Sequence, residues 1–479
     1  MEFRNKLKRI SSVVWEIPGS FRNDMRVPAR IYASEQMLDL ISQDRSMEQL
    51  VNVCSLPGIV NAAMVMPDVH EGYGFPIGGV AATEYPDGVI SPGGIGYDIN
   101  CGVRLLRTSL NADDVSGSIE KLSVEIFRSV PCGVGKGGFL KLSSKELDNV
   151  LLKGAEWAVH NGYGKENDLP YLESGGCIPG AEPSAVSGQA KKRGSDQLGT
   201  MGAGNHFVEV DRVAEIFDKG SADAFGLFHG QLVMLIHTGS RGLGHQVATD
   251  YIRLMLNVMG KYNIHLPDRE LACVPLSSPE GKDYFSAMAS AANFAFANRQ
   301  LITWEVREAF GRVFAGEDEP GIIYDVAHNI AKLEHHLVNG KLKELIVHRK
   351  GATRAFGPGN DEVPAIYRDF GQPVLIPGSM GTASYVLAGT SQSEESFGSA
   401  CHGAGRQMSR HAARKKINAD ELRKKLLMEG IIIQAGSRRG VAEEAPAAYK
   451  DVDSVVDVVD KAGIAKKVAR LKPLAVIKG

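Results

Sequence analysis

Glycine placement constrains this chain more than any other feature. Of 479 residues, 54 are glycine, about 11% against an average near 7%. They do not form a flexible linker. They fall in tight groups at 91–96, 202–204, 378–381 and 403–405, beside short apolar runs. Glycine takes positive φ without a steric penalty and lets a ligand approach the backbone closely. Glycine turns on short strands predict a site built from loops over a β-rich framework.

The apolar runs are strand-length: 62–66, 103–106, 232–236, 321–326, 373–376 and 431–433. Helical patterns lie between them. Ser143 and Glu146 form a capping box, followed by an apolar face of Leu147, Val150, Leu151, Gly154 and Ala158. Residues 284–310 are alanine-rich, with no Pro or Gly until Gly311, and predict one long helix or two abutting ones. Asn418 and Glu421 mark another helix start, and 454–471 predicts a late helix weakened by Gly463. The pair His335-His336 is expected on a polar helix face. No repeat or linker divides the chain, and the candidate chemical groups run from residue 68 to residue 478. The expected organisation is one α/β (α+β) catalytic domain over residues 1–479.

Charge excludes one simple class. Lys+Arg is 54 against Asp+Glu 56, a net charge of −2, so nothing draws polyanions to the molecule as a whole, and any phosphate site needs local basic clusters. With 43% hydrophobic and 23% charged residues, the chain reads as soluble and globular. No run approaches the ~18–20 apolar residues of a membrane helix, and no long apolar run follows the basic start. The six cysteines (Cys54, Cys101, Cys132, Cys177, Cys273 and Cys401) contain no C-x-x-C pair. A reduced, cytoplasmic setting is expected, in which a special cysteine is a ligand or nucleophile rather than half of a disulfide.

Three familiar motifs fail. Gly135-Lys136 lacks the glycine at 130 and the following Ser/Thr of a phosphate loop. Gly378-Ser379-Met380-Gly381 has Pro377 where a nucleophile elbow needs its first glycine. No H-E-x-x-H occurs. What remains is a constellation. Asp98 and Cys101 stand three apart after a glycine turn and before a strand. Asn205-His206 follows another glycine turn. The 232–236 run ends in His237, and 321–326 leads, after Ala327, to His328-Asn329. Strand ends are where sites gather in open α/β sheets. Thiolate and neutral imidazole suit divalent transition metals, and on ligand chemistry alone zinc is the first expectation. Each residue alone reads first as a satisfied polar or small core residue, and the metal reading rests on four segments that share a glycine turn or strand end beside a ligand-type side chain. His402 precedes Gly403-Ala404-Gly405-Arg406, a string with little bulk, where backbone N–H groups and Arg406 can face phosphate oxygens. It reads equally as a turn opening a helix.

On these strings the chain resembles the RtcB family of RNA-splicing ligases. The resemblance rests on Pro67-Asp68-Val-His70-Glu-Gly-Tyr-Gly, Asp98-Ile-Asn-Cys101-Gly-Val-Arg104, Gly204-Asn205-His206-Phe207-Val208-Glu209, His237-Thr-Gly-Ser-Arg241-Gly, Asp325-Val-Ala-His328-Asn329, Arg349-Lys-Gly-Ala-Thr-Arg354, Pro377-Gly-Ser-Met380-Gly-Thr-Ala-Ser384-Tyr, His402-Gly-Ala-Gly-Arg406 and Lys478-Gly479. It implies a fold with a β-rich core flanked by helices, without a Rossmann or phosphate-loop unit. It implies two manganese ions held by Asp98, Cys101, His206, His237 and His328, with Cys101 bridging, and so displaces zinc. It implies His402 as the guanylylated nucleophile, oriented by Asp68. The implied GTP pocket comprises Asn205, His206, Phe207, Val208, Glu209, His328, Asn329, Pro377, Gly378, Ser379, Met380, Ser384, His402, Gly403, Ala404, Gly405, Tyr449 and Lys478.

The implied reaction joins an RNA 3′-phosphate or 2′,3′-cyclic phosphate to a 5′-hydroxyl, with RNA as partner and archease as an activating protein. For the RNA backbone the candidates are Arg241, Arg354 and Arg406, with Arg349, Lys350, Arg410, Arg414, Arg438 and Arg439 behind them. Two rival classes are a metallophosphoesterase that opens cyclic phosphates without ligating, and a non-catalytic RNA-binding factor.

Overall fold

The structure is a computed structural model describing residues 3–479. Two large sheets carry the candidate residues. The first has seven strands in the order Lys8–Arg9, Val14–Ile17, Ala29–Tyr32, Ala63–His70, Ile77–Glu84, Lys341–Lys350 and Asn329–Val338. The second runs Gly321–Ala327, Gly102–Asn111, Gln231–Thr238, Phe207–Ile216, Ala465–Lys478, Ser384–Gly389 and Pro373–Ile376, with Ile432–Ala435 pairing in parallel beside Ala465–Lys478. All six predicted apolar runs fall in strands, and the α/β class with a β-rich core and flanking helices holds.

The order of the second sheet explains why distant residues meet. Neighbours along its main path are antiparallel, so strand starts and strand ends alternate along one edge. The rungs Gly102 with Ala327, Gly102 with Thr238, Phe207 with His237 and Lys478 with Phe207 lie at that edge. Cys101, His206, His237, His328 and Lys478 therefore emerge side by side from five strands.

Behind this sheet runs one helix of 35 residues, Pro279–Val313, capped by Ser278, whose Oγ accepts from the Gly281 N–H at 3.1 Å. Its alanines allow close approach to the helices Ile119–Ser129, Ser144–Lys153, Ala155–His160 and Arg241–Val258, and its middle is buried all round. It is the single long helix of the two expectations offered for 284–310. The Ser143–Glu146 capping box and the Asn418 cap also form as expected.

Three sequence expectations need correction. The predicted helix at 454–471 stops early. Val452–Lys461 is helical, capped by Asp451. Gly463 then turns with φ +74°, and Ala465–Lys478 becomes a central strand. The helix breaker and the β-branched residues beyond it outweigh the apolar periodicity. The apolar face that begins at Leu147 breaks at Gly154, whose φ of +56° separates two helices. His335 and His336 lie on the strand Asn329–Val338, not on a helix, with His335 exposed and His336 buried. Among the described residues, no helix is long and apolar enough to cross a membrane.

Candidate metal and nucleotide site

The five ligand-type side chains converge. Cys101 Sγ lies 3.4 Å from His206 Nε2 and 3.3 Å from His237 Nε2. His237 Nε2 lies 3.3 Å from His328 Nε2, and His206 Nε2 lies 2.9 Å from Asp98 Oδ2. Two overlapping groups result, Asp98–Cys101–His206 and Cys101–His237–His328, sharing the thiol. Ligand atoms on one ion with bonds of about 2.0–2.3 Å stand roughly 3–3.7 Å apart, so the spacing fits two cations with a common sulfur. Local partners aim several of the groups. The Met201 carbonyl accepts from His206 Nδ1 at 3.0 Å, leaving Nε2 for the cluster. The Ser240 N–H holds Asp98 Oδ1 at 3.1 Å, and His328 N–H donates to the Cys101 carbonyl at 2.9 Å.

Electrostatics points the same way. Burial, helped by nearby imidazoles and cations, holds His237 and His328 well below the usual histidine range, as neutral rings. Burial and Asp98 push the Cys101 thiol well up, so a thiolate there needs a cation beside it. The donor set of one thiol, three imidazoles and one carboxylate fits transition metals.

His402 stands next to this cluster. It follows the short strand Ser399–Cys401, which pairs with Ala352–Arg354, and its ring centroid is 5.0 Å from that of His328. Asp68, fully buried on Ala63–His70, brings Oδ2 to 2.5 Å from His402 Nδ1, a close contact not aligned as a full hydrogen bond. The same oxygen accepts from the backbone N–H of His402 at 3.0 Å and of Gly403 at 3.3 Å. Burial alone would push the Asp68 carboxyl up. The His402 ring and backbone, with Lys450, outweigh burial and hold it below the usual range. Gly405 has φ +73°, and any Cβ there would run into the Asp68 backbone. This explains the bulk-free string after His402.

These groups open onto a cavity of about 1040 Å³. Of the expected nucleotide residues, Asn205, Phe207, His328, Asn329, Pro377 to Met380, His402 to Gly405, Tyr449 and Lys478 line it. His206, Val208, Glu209 and Ser384 are buried and do not line it. The Ser384 hydroxyl donates to Glu209 Oε2 at 3.4 Å and accepts from Gly378 N–H at 3.1 Å. Burial and Asp211 push Glu209 well up, against the pull of Lys478. Lys478 Nζ donates to the Gly204 carbonyl at 2.9 Å.

A family model described as tRNA-splicing ligase RtcB matches residues 49–479. The chain belongs to the RtcB family. It is 58% identical to the tRNA-splicing ligase RtcB of Thermococcus kodakarensis over 477 residues, 99% of each chain. It is 54% identical to the like-named protein of Archaeoglobus fulgidus over 483 residues, 100% of each. With that of Methanococcus maripaludis it shares 51% over 480 residues, 99% of this chain and 100% of the other.

In this RtcB-family chain the basic residues divide sharply between buried ion pairs, the cavity wall and surface pairs. Arg354 is buried and committed to Gln372, Glu362 and Glu173. Arg349 is buried in a two-pronged pair with Glu334 at 2.6 and 2.8 Å. Neither lines the cavity. Lys350 does face it, but its Nζ donates to the Tyr73 and Phe75 carbonyls, and burial lowers it to about 7. Arg406 and Arg410 line the cavity against Glu444. Arg241 packs inside the Gly202 turn, with Nε on Thr200 Oγ1 at 3.2 Å. Arg414 pairs with Glu443, as does Arg439, and Arg438 pairs with Asp420.

Two wall residues escaped sequence reasoning. Glu444 gathers Arg406, Arg410 and the Tyr449 hydroxyl. Lys450 donates to the Pro67 and Val69 carbonyls on either side of Asp68, and burial lowers it to about 8. In sequence, residues 442–450 carry no glycine turn, histidine or cysteine to mark them.

Proposed function

We propose that this chain is a GTP- and manganese-dependent RNA ligase acting in tRNA splicing and RNA repair. It joins a 3′-phosphate or 2′,3′-cyclic phosphate end to a 5′-hydroxyl end through a histidine–GMP intermediate. One observation carries the reading: the His402 imidazole sits between the Asp68 carboxylate and the cluster shared by Cys101, His237 and His328.

Asp98, Cys101, His206, His237 and His328 would hold two divalent cations. Bound there, the cations supply electrostatic neutralisation of phosphate oxygens. The remaining chemistry belongs to the chain. Asp68 holds Nδ1, which leaves Nε2 of His402 as the nucleophile. Its lone pair attacks the α-phosphorus of GTP, a P–N bond forms, and pyrophosphate leaves with the electrons of the broken P–O bond. A 2′,3′-cyclic end is first opened by water to a 3′-phosphate. An oxygen of that phosphate then attacks the GMP phosphorus and releases the imidazole. A 5′-hydroxyl attacks the activated RNA phosphorus, gives up its proton, and GMP departs. The junction phosphate is thus the one the RNA brought.

Selection of guanine is assigned to the wall of Phe207, Tyr449 and Lys478 and to Glu209 buried beside Ser384, which accepts base N–H groups that adenine lacks once the bound base reaches it and restores its charged form. Arg406 and Arg410 are the proposed contacts for the RNA backbone near the reacting ends. Residues 1–479 act as one catalytic unit, because both large sheets supply parts of the site.

A ligation assay with 3′-phosphate and 5′-hydroxyl RNA tests this. Sealing is expected with GTP and manganese and not with ATP. Opening of cyclic ends without sealing under any nucleotide would favour the phosphoesterase class instead.

A further inference from the structure

The long helix Pro279–Val313 places one guanidinium directly behind the five-residue cluster. Arg299 is fully buried, and every one of its five N–H donors is used. Nη1 donates to the backbone carbonyls of Asn100 at 2.8 Å and Thr238 at 3.0 Å. Nη2 donates to Asn100 Oδ1 at 3.0 Å and Asp325 Oδ1 at 2.8 Å, and Nε donates to Asp325 Oδ2 at 2.8 Å. These acceptors have telling positions. Asn100 immediately precedes Cys101, Thr238 immediately follows His237, and Asp325 lies three residues before His328.

The strand ladder does not reach all of these side chains. Gly102 with Thr238 and Gly102 with Ala327 are its last rungs, so Cys101 and His328 lie just beyond them. Asn100 is also held at φ +52°, a left-handed conformation, with its amide donating to the Ala292 carbonyl of the same helix at 2.7 Å. A buried ion pair is a poor device for stability alone, since desolvation offsets the attraction. Metal ligands, by contrast, need their backbones fixed to within about 0.5 Å.

We infer that Arg299 is a positioning residue for the metal site, a brace that sets the spacing of the strand ends carrying Cys101, His237 and His328. The inference rests on reading the cluster as a metal site. Lysine cannot replace the brace, because a point-like ammonium with three donors does not span two backbones and a carboxylate. A control lies on the same helix. Arg307, also buried, grips Asp168 at 2.7 and 2.8 Å and the Pro320 carbonyl, with no contact to a ligand-bearing strand end.

The test titrates metal-stripped full-length protein with cobalt(II), read by the thiolate-to-metal absorption band, and with manganese(II), read by calorimetry. R299K is expected to bind both metals about 10- to 100-fold more weakly, the range for outer partners of metal ligands, with an altered cobalt spectrum. R307K is expected to stay within about twofold of the parent protein. Should R299K fail to fold, Asn100→Gly keeps the left-handed backbone, deletes one guanidinium contact together with the Ala292 bond, and should bind severalfold more weakly. Unchanged affinity in R299K, or in N100G where R299K is insoluble, overturns the brace. An equal loss in R307K reduces Arg299 to a general stabiliser and also overturns it. Absence of a thiolate–cobalt band in the parent protein overturns the metal reading itself, a separate result.

Discussion

Cys101 is the residue on which the site turns, because its thiol belongs to both ligand groups. Cys101→Ala should weaken binding of both cations, by at least the tenfold to hundredfold known for lesser disturbances, with the fold retained; calorimetric titration with manganese measures it. A second prediction concerns Asp211, which shares a face of the strand Phe207–Ile216 with Glu209 and has neither oxygen hydrogen-bonded. Burial pushes Asp211 up to about 8 from an ordinary 3.8. The native state therefore keeps a proton that the unfolded chain releases. This opposes folding increasingly as pH rises from about 4 to 8, and not below that window. Melting temperatures of Asp211→Asn relative to the parent should shift in the variant's favour between pH 5 and pH 8. At this scale residue type drew attention to Cys101 and His402, which the structure places on one cavity wall. It gave no sign that Arg349 and Arg354 are buried, since their carboxylate partners, Glu334 and Glu362, meet them only in space.

Elements deliver these residues through antiparallel pairing, and Gly102 is a close-packed point between two ligand-bearing strands. A Cβ there would press on the Val326 carbonyl and lie 3.0 Å from the Arg299 guanidinium. Gly102→Ala should destabilise by about 1–3 kcal/mol, the usual cost of overpacking, and weaken metal binding together with stability. Thermal unfolding and cobalt titration on the same sample check both. Short apolar runs bounded by turn residues were legible as strands, and side-chain caps such as Ser143 were legible as helix starts. The run after Gly463 was not. Its apolar residues satisfy helical and strand periods alike, and only pairing with Phe207–Ile216 and Ser384–Gly389 decides the matter.

Across the whole molecule, the first sheet brings Asp68, the second brings the cluster, and the short pair Ala352–Arg354 with Ser399–Cys401 sets His402 between them. No local segment contains the site, which is why composition, with a net charge of −2, does not reveal it. The nucleophile is the point on which the proposed chemistry depends. Incubating the protein with manganese and GTP radiolabelled in the α-phosphate should give an acid-labile label on the chain. His402→Ala should carry no label while still binding manganese. A label retained by that variant, or an unlabelled parent protein with manganese bound, would contradict the assignment.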